Sequence, residues 1–183
     1  MANEFDFMRA KTMADWDYYI KLFADNDPYN HLRGIHNGAV WYDHTNPLIT
    51  HASVQNEDTY KAKELRIKYK KPVVYDECRY EGNVPWSWGN LTPQEMTNKF
   101  WRGITNGGFV GHGETYVTEN PAKWPSESDD ILWWSKGGVL RGQSAERIKF
   151  AKSIVEQSPG QLTPYPLFPD WMPFSAVAYK DEY

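Results

Sequence analysis

Two glutamates are placed so that they could perform acid/base and nucleophilic chemistry on one bond. Asn3-Glu4 stands near the start of the chain, and Glu77 ends the run 72–76, which is largely apolar. Two carboxylates on neighbouring strand ends of one barrel can flank a glycosidic bond, one as acid/base and the other as nucleophile. The pattern therefore predicts a hydrolytic site for sugars that contains Glu4 and Glu77.

Short apolar strands alternate with helices and would have to position these carboxylates. Apolar periodicity predicts strands at 32–35, 48–54, 72–77 and 109–111, and helices at 14–25, 57–70, 92–105 and 144–157. Thr92-Pro93 with Glu95 is a helix start with a capping box, while Asn56 and Ser144 are the predicted caps of two other helices. This alternation favours a parallel α/β sheet, either open and doubly wound or closed as a (β/α)8 barrel.

The sequence favours the barrel over the open sheet. No Gly-rich phosphate loop follows a predicted strand, which weakens a nucleotide-binding interpretation. No Gly-x-Ser-x-Gly elbow is present, which weakens an α/β-hydrolase interpretation. Polar residues cluster directly after the predicted strands, where barrel enzymes carry their chemistry. They include His36, Gln55, Glu77, His112 and Glu114.

Strand alternation makes a prediction about Glu77. Glu77 should share a face with Val73 and Tyr75 that looks into the barrel mouth, while Asp76 points the other way. A carboxylate held there by neighbouring donors could act as a nucleophile, and a salt-bridged strand-end acid is the structural alternative. Glu114, just past the last predicted strand, is the main rival of Glu77.

Composition restricts the partners. Aromatic residues make up 16% of the chain, including nine Trp, and flat rings either pack a core or stack on ligands such as sugars. The net charge of −4 with no basic block argues against nucleic acid, and no apolar run approaches the ~20 residues that span a bilayer. Glu4, Asp6 and Arg9 argue against a signal peptide at this N-terminus.

Neither a disulfide framework nor a metal centre is predicted. Cys78 is the single cysteine, and a small buried filler is its expected role. His36, His51 and His112 lack a close ligand spacing such as His-x-x-x-His, so no metal is expected.

Several motifs together resemble bacterial apiosidase-like glycoside hydrolases of clan A and their relatives. The resemblance covers about residues 1–157 and rests on Asn3-Glu4, Lys71–Glu77, Trp88–Thr92, Gly111–Tyr116 and Leu132–Gly138. It implies that Glu4 is the acid/base after the fourth barrel strand and Glu77 the nucleophile after the seventh. The resemblance also implies hydrolysis of a carbohydrate substrate with net retention of the anomeric configuration and without a cofactor. Some relatives have Asp where Glu4 stands.

The resemblance also implies an incomplete barrel. Residues 1–157 would be the C-terminal half of a (β/α)8 TIM barrel, with strands five to eight, and residues 158–183 a Pro-rich linker into a truncated C-terminal β domain. Dimerisation or a missing N-terminal half would complete the barrel. Glu4 would then start from a frayed terminus.

Further rim residues are candidates for binding substrate, although each could equally pack or orient its neighbours. They are Asn3, His36, Gln55, Glu81, Trp86, Trp88, His112, Glu114, Trp133 and Trp134. A non-catalytic carbohydrate-binding or assembly module with the same aromatic platforms is the alternative function.

Overall fold

The computed structural model describes residues 2–116, 140–165 and 174–180. In these ranges the helices are α1 Met13–Asn26, α2 Ala62–Tyr69, α3 Pro93–Thr105 and α4 Ser144–Glu156. The strands are β1 Ala52–Gln55, β2 Val73–Glu77, β3 Glu81–Gly82, β4 Phe109–Val110, β5 Glu114–Thr115, β6 Thr163–Tyr165 and β7 Ala176–Ala178. None of the helices in the described ranges is long and apolar enough to span a membrane.

The helix starts show where local sequence decides structure. Helix α3 begins as predicted, with Thr92 and Glu95 bonded to each other's backbone N–H. Helix α2 begins later than predicted because a 3-10 turn, Thr59–Lys61, precedes it. Asn56 is not the cap of α2, since Lys61 occupies the cap position; the Asn56 side chain accepts a 2.7 Å hydrogen bond from the Asp58 N–H.

Strands β1, β2 and β4 form a parallel sheet in the order β1-β2-β4. The predicted strand at 32–35 does not form a regular ladder. The carbonyl of Arg33 accepts a bond from the Thr50 N–H, but the Arg33 N–H donates to the Thr50 hydroxyl at 2.8 Å. A side chain thus takes the place of a backbone acceptor, and the segment stays extended beside β1 without being a strand.

Helices α2 and α3 cover one face of this sheet. Val73 and Tyr75 are fully buried in a cluster with Ala62, Met96 and Phe100. The prediction that the Val73–Tyr75 face looks into a barrel mouth is therefore wrong, since that face contacts the helices.

The opposite face of the sheet is less covered in the described part of the chain. It carries Val74, Asp76 and Phe109, and Phe109 is 62% exposed. Parallel sheets are normally covered on both faces. Within the described ranges, the part of this face around Phe109 is therefore available for further contacts.

A second core fixes the N-terminal segment. Phe5 is 2% exposed and packs edge-on against Trp16 and Tyr42, in a cluster with Ile35. The Phe5 N–H donates to the carbonyl of His36, whose own N–H donates to the carbonyl of Ala2. The expectation of a frayed terminus at Glu4 is wrong, because the residue after it is part of the core.

Smaller sheets complete the fold. Strands β3 and β5 pair in parallel with Glu81 opposite Glu114, and β6 and β7 pair antiparallel. The prediction that Ser144 caps the last helix is wrong. Gln143 occupies the cap position, and the Ser144 hydroxyl bonds to Glu81.

Candidate active site

A bulge at the end of β2 decides the direction of Glu77. Val54 pairs with Tyr75, but the next residue, Gln55, pairs with Glu77, so that Asp76 is an extra residue on β2. The bulge carries Glu77 away from the helix-facing side and places it beside Asp76. The prediction that the two carboxylates point in opposite directions is thus wrong, and both approach His36.

Glu77 is held by groups from several segments. Its Oε2 accepts a 3.0 Å hydrogen bond from Gln55 Nε2, and its Oε1 lies 3.5 Å from His36 Nε2. The Tyr80 hydroxyl also bonds to Glu77, and burial together with this bond raises the pKa of Tyr80. The Glu77 side chain remains 22% exposed. It is therefore both oriented and accessible, as a nucleophile must be.

His36, which faces Glu77, is itself held by Asp76. His36 is buried, with its Nδ1 3.3 Å from Asp76 Oδ2. Burial alone would raise the pKa of Asp76, but hydrogen bonds from His36 and Ser53 lower it below its usual value. Asp76 thus stays ionised and fixes the imidazole ring that faces Glu77.

Glu4 reaches the same place from the N-terminal segment. It adopts a left-handed conformation, with φ 45°, directly before the 3-10 turn Phe5–Phe7. Such a backbone is unfavourable for a non-glycine residue and persists only where surrounding contacts impose it. Here Phe5 anchors one side, and the Asp6 carboxylate accepts hydrogen bonds from the amides of residues 38–40.

Glu4 and Glu77 are linked by one side chain. Gln55 Nε2 lies 3.2 Å from Glu4 Oε1 and 3.0 Å from Glu77 Oε2. Both carboxylates line a cavity of about 480 Å³, within the range typical of small-molecule sites. The structure therefore brings together the two acids that the sequence singled out.

Trp88 supplies an aromatic wall of this cavity. Its ring lies edge-on to Tyr80 and stacks on Trp86, with 6.2 Å between the Trp centroids and 9° between the ring planes. Trp86 is 37% exposed, so the stack extends from the cavity to the surface. Trp133 and Trp134, the other predicted platforms, lie outside the described residues.

Glu81 does not line the cavity, although the sequence suggested substrate binding. It is fully buried and accepts hydrogen bonds from Gln143, Tyr116 and both the amide and hydroxyl of Ser144. Burial would raise the pKa of Glu81, but these bonds lower it. A carboxylate at a helix N-terminus is favourable, so Glu81 holds the start of α4.

Glu114 binds the segment directly before α4. Its Oε2 accepts the amides of Arg141 and Gly142 at 2.7 and 2.9 Å, while its Oε1 lies 3.8 Å from His112 Nε2. Glu81 and Glu114 are opposite each other on parallel strands, where like charges would repel. The amides at the start of α4 compensate this repulsion.

Glu81, His112 and Glu114 are close enough together to suggest a metal site. Most of their acceptor positions already face N–H or O–H donors, and His112 Nε2 lies 3.1 Å from the Ser144 hydroxyl. Glu114 Oε1 is a fully buried atom of this group without a hydrogen-bond partner. Because N–H and O–H groups already face these side chains, the cluster is better suited to hold the start of α4 than to bind a cation.

Sequence reasoning missed several residues of this region. Tyr80 contacts Glu77 and Asp6 contacts the 38–40 loop, yet neither ends a predicted strand in a recognisable motif. Asn37 directly follows the strand predicted at 32–35, but its contact with Gln55 was not predicted. Asn3, predicted to bind sugar, is exposed beside Glu4. The residue type of Asp6, two residues after Glu4, was the available signal, since short acidic side chains commonly bond to loop amides.

The chain resembles a known structure over most of its length. It is 40% identical over 89% of its residues, with a TM-score of 0.79, to a protein from Bacteroides vulgatus ATCC 8482 described as a "putative glycoside hydrolase". The chain spans 31% of that protein's length. No family model and no curated protein matches the sequence. The likeness supports glycoside hydrolase as the general class.

Proposed function

We propose that this chain carries the catalytic carboxylates of a retaining glycoside hydrolase of the apiosidase-like group in clan A. The observation that supports this most directly is the pair Glu4 and Glu77, joined through Gln55 at one cavity. The resemblance of the motifs and the likeness to a described glycoside hydrolase point to the same class.

The two carboxylates would act in sequence. Glu77 forms a bond to the anomeric carbon while the bond from that carbon to the leaving oxygen breaks, and Glu4 gives that oxygen its proton. Glu4 then takes a proton from water as the water oxygen attacks the anomeric carbon and the bond to Glu77 breaks. Trp88 would offer its ring face to the sugar, and no cofactor takes part.

The separation of the carboxylates supports retention. Glu4 Oε1 and Glu77 Oε2 lie 3.2 and 3.0 Å from the same nitrogen, Gln55 Nε2. The distance between these two oxygens therefore cannot exceed the sum of those two distances. Retaining enzymes hold their carboxyl groups about 5–5.5 Å apart, whereas inverting enzymes leave about 6.5–9.5 Å for a water molecule. The short bridge fits the first geometry.

Replacing Glu4 by Ala is expected to separate the two catalytic steps. Glycosides with poor leaving groups should lose about 10²–10⁴-fold in turnover, because proton donation contributes on that scale. Activated aryl glycosides need little protonation and should still form the intermediate. Azide should restore their turnover by replacing the base-activated water, giving a glycosyl azide of retained configuration.

The Glu4→Gln variant is the matched control, since it keeps the size of the side chain and removes the acid. It should show the same dependence on the leaving group. An azide product of inverted configuration would contradict retention, and loss of activity on all substrates alike would contradict the acid/base role of Glu4.

We further propose that the described sheet is part of a (β/α)8 barrel that other polypeptide completes. The backbone of residues 2–5 bonds to His36, the segment 33–37 lies beside β1, and helices cover one face of the β1-β2-β4 sheet. The other face exposes Phe109, as expected if it normally points into a barrel core. A second copy or an N-terminal half of the same enzyme would supply the remaining strands.

The isolated 183-residue chain is accordingly expected to self-associate. Light scattering coupled to size exclusion should give a mass above that of one chain, and Phe109→Lys should lower it by charging the uncovered sheet face. Phe150→Lys is the matched control, because Phe150 is also 62% exposed but lies on α4. A monomeric wild-type chain with normal glycosidase turnover would contradict the barrel-completion proposal.

A further inference from the structure

The Gln55 carboxamide contacts two carboxylates through one nitrogen. Its Nε2 is 3.2 Å from Glu4 Oε1 and 3.0 Å from Glu77 Oε2. A primary amide nitrogen carries two hydrogens and can donate one to each acceptor. The amide oxygen could not replace it, because an acceptor would then face two acceptors. The chemistry of the neighbours therefore fixes which end of the amide faces them.

Gln55 is itself held rigidly by Asn37. Asn37 is 1% exposed, and its Oδ1 accepts the Gln55 N–H at 3.0 Å while its Nδ2 donates to the Gln55 carbonyl at 3.2 Å. This two-point contact lies where the register between β1 and β2 shifts. The backbone of Gln55 is thus fixed independently of the carboxylates, and its side chain leaves β1 in a set direction.

The Gln55 side chain is not expected to donate hydrogen bonds to sugar hydroxyls. Both N–H hydrogens are directed to carboxylates, which form stronger hydrogen bonds than neutral hydroxyls do. A sugar hydroxyl would have to displace one of them.

We propose that Gln55 is a positioning residue that sets the spacing of the Glu4 and Glu77 carboxylates and leaves Oε2 of Glu4 as the oxygen that carries the proton. This inference rests on the proposed function of the two glutamates. The hydrogen bond from Gln55 favours the form of Glu4 in which Oε1 is the acceptor and Oε2 carries the proton. Proton transfer to the leaving oxygen, and later from water, therefore runs through Oε2.

The bridge can be tested without any substrate. The two side-chain amide hydrogens of Gln55 give separate NMR signals on one nitrogen, and they are assigned as the pair that disappears in Gln55→Glu. We expect Glu4→Ala to move one hydrogen toward the position of an exposed glutamine amide, and Glu77→Ala to move the other. If both variants leave both signals in place, or if both move the same hydrogen, the bridge does not exist and the inference falls.

Kinetics test the positioning role. Gln55→Ala should lower kcat about 10²-fold, since small misplacements of reacting groups cost on that scale, while KM changes little. Gln55→Glu keeps the size but replaces the donor with an acceptor and should not restore kcat. Gln94→Ala, an exposed glutamine of α3, is the control.

The outcomes separate this inference from the proposed function. Normal kcat in Gln55→Ala together with an inactive Glu77→Ala would overturn the role of Gln55 and keep that of the glutamates. Activity in Glu77→Ala would overturn the proposed function. If the wild-type chain shows no turnover, the NMR shifts decide whether Gln55 positions both carboxylates.

Discussion

Replacing Glu77 by Gln is expected to lower glycosidase turnover by about 10⁴-fold or more, the scale on which loss of a covalent nucleophile acts. Glutamine keeps the size of the side chain and can still contact Gln55, so the effect should reflect lost nucleophilicity and not altered packing. Turnover of an activated aryl glycoside, measured for wild type and variant under the same conditions, provides the test. No leaving group should rescue this variant, in contrast to Glu4→Ala.

Two other carboxylates of the same cavity serve as comparisons. Glu57 lines the cavity but accepts a hydrogen bond from Arg79, and Glu57→Gln should change turnover by less than about tenfold. Glu114→Gln tests the rival nucleophile. Full activity in Glu77→Gln with loss in Glu114→Gln would transfer the nucleophile role to Glu114 and contradict our assignment.

The second large effect concerns stability at acidic pH and depends on His44. The His44 ring is fully buried beside Tyr42 and Tyr69, and neither ring nitrogen has a hydrogen-bond partner. Burial, reinforced by the positive charge of Lys71, lowers the pKa of His44 to about 4. An imidazole with no partner cannot become charged there without a large desolvation cost.

The sign of the pH dependence follows from this lowered pKa. In the unfolded chain His44 takes up a proton near its usual pKa of about 6.5, whereas in the folded chain it does so only near pH 4. The contribution of neutral His44 to the free energy of unfolding is therefore fully present above about pH 6.5. It is lost as the pH falls toward 4. The pKa difference corresponds to about 3 kcal/mol of unfolding free energy.

His44→Phe should remove this part of the pH dependence. Urea unfolding between pH 7 and pH 4 gives the free energy for both proteins, and their difference should change by about 3 kcal/mol over that range. Asp6, Asp76 and Glu81 also have lowered pKa values, but both proteins share their contribution. An equal slope in wild type and His44→Phe would contradict the prediction.

Elements with a local cause could be read from the sequence. The start of α3 follows from Thr92, Pro93 and Glu95, which satisfy the first helix amides within one turn. Strand β2 follows from its β-branched residues and preceding proline, and the burial of Cys78 follows from its small apolar side chain. The start of α3 needs no distant partner, and the residue types of β2 and Cys78 indicate a strand and a buried side chain without specifying which segments they pack against.

The candidate site depended on contacts between distant segments. The direction of Glu77 is set by a bulge in its register against β1, and a one-residue shift moves a side chain to the other face of a sheet. The position of Glu4 is set by the neighbouring Phe5, which packs against Trp16 and Tyr42. A periodicity argument contains neither the register nor the packing partner.

The sequence by itself determined the alternation of strands and helices and the two acids worth examining, because residue type and spacing carry that information locally. Only the tertiary structure decided that Glu77 and Asp76 meet at His36, that Gln55 joins Glu4 to Glu77, and that Glu81 anchors α4. Each of these results is a hydrogen bond or ion contact between residues of different segments. Its existence depends on how the whole chain packs.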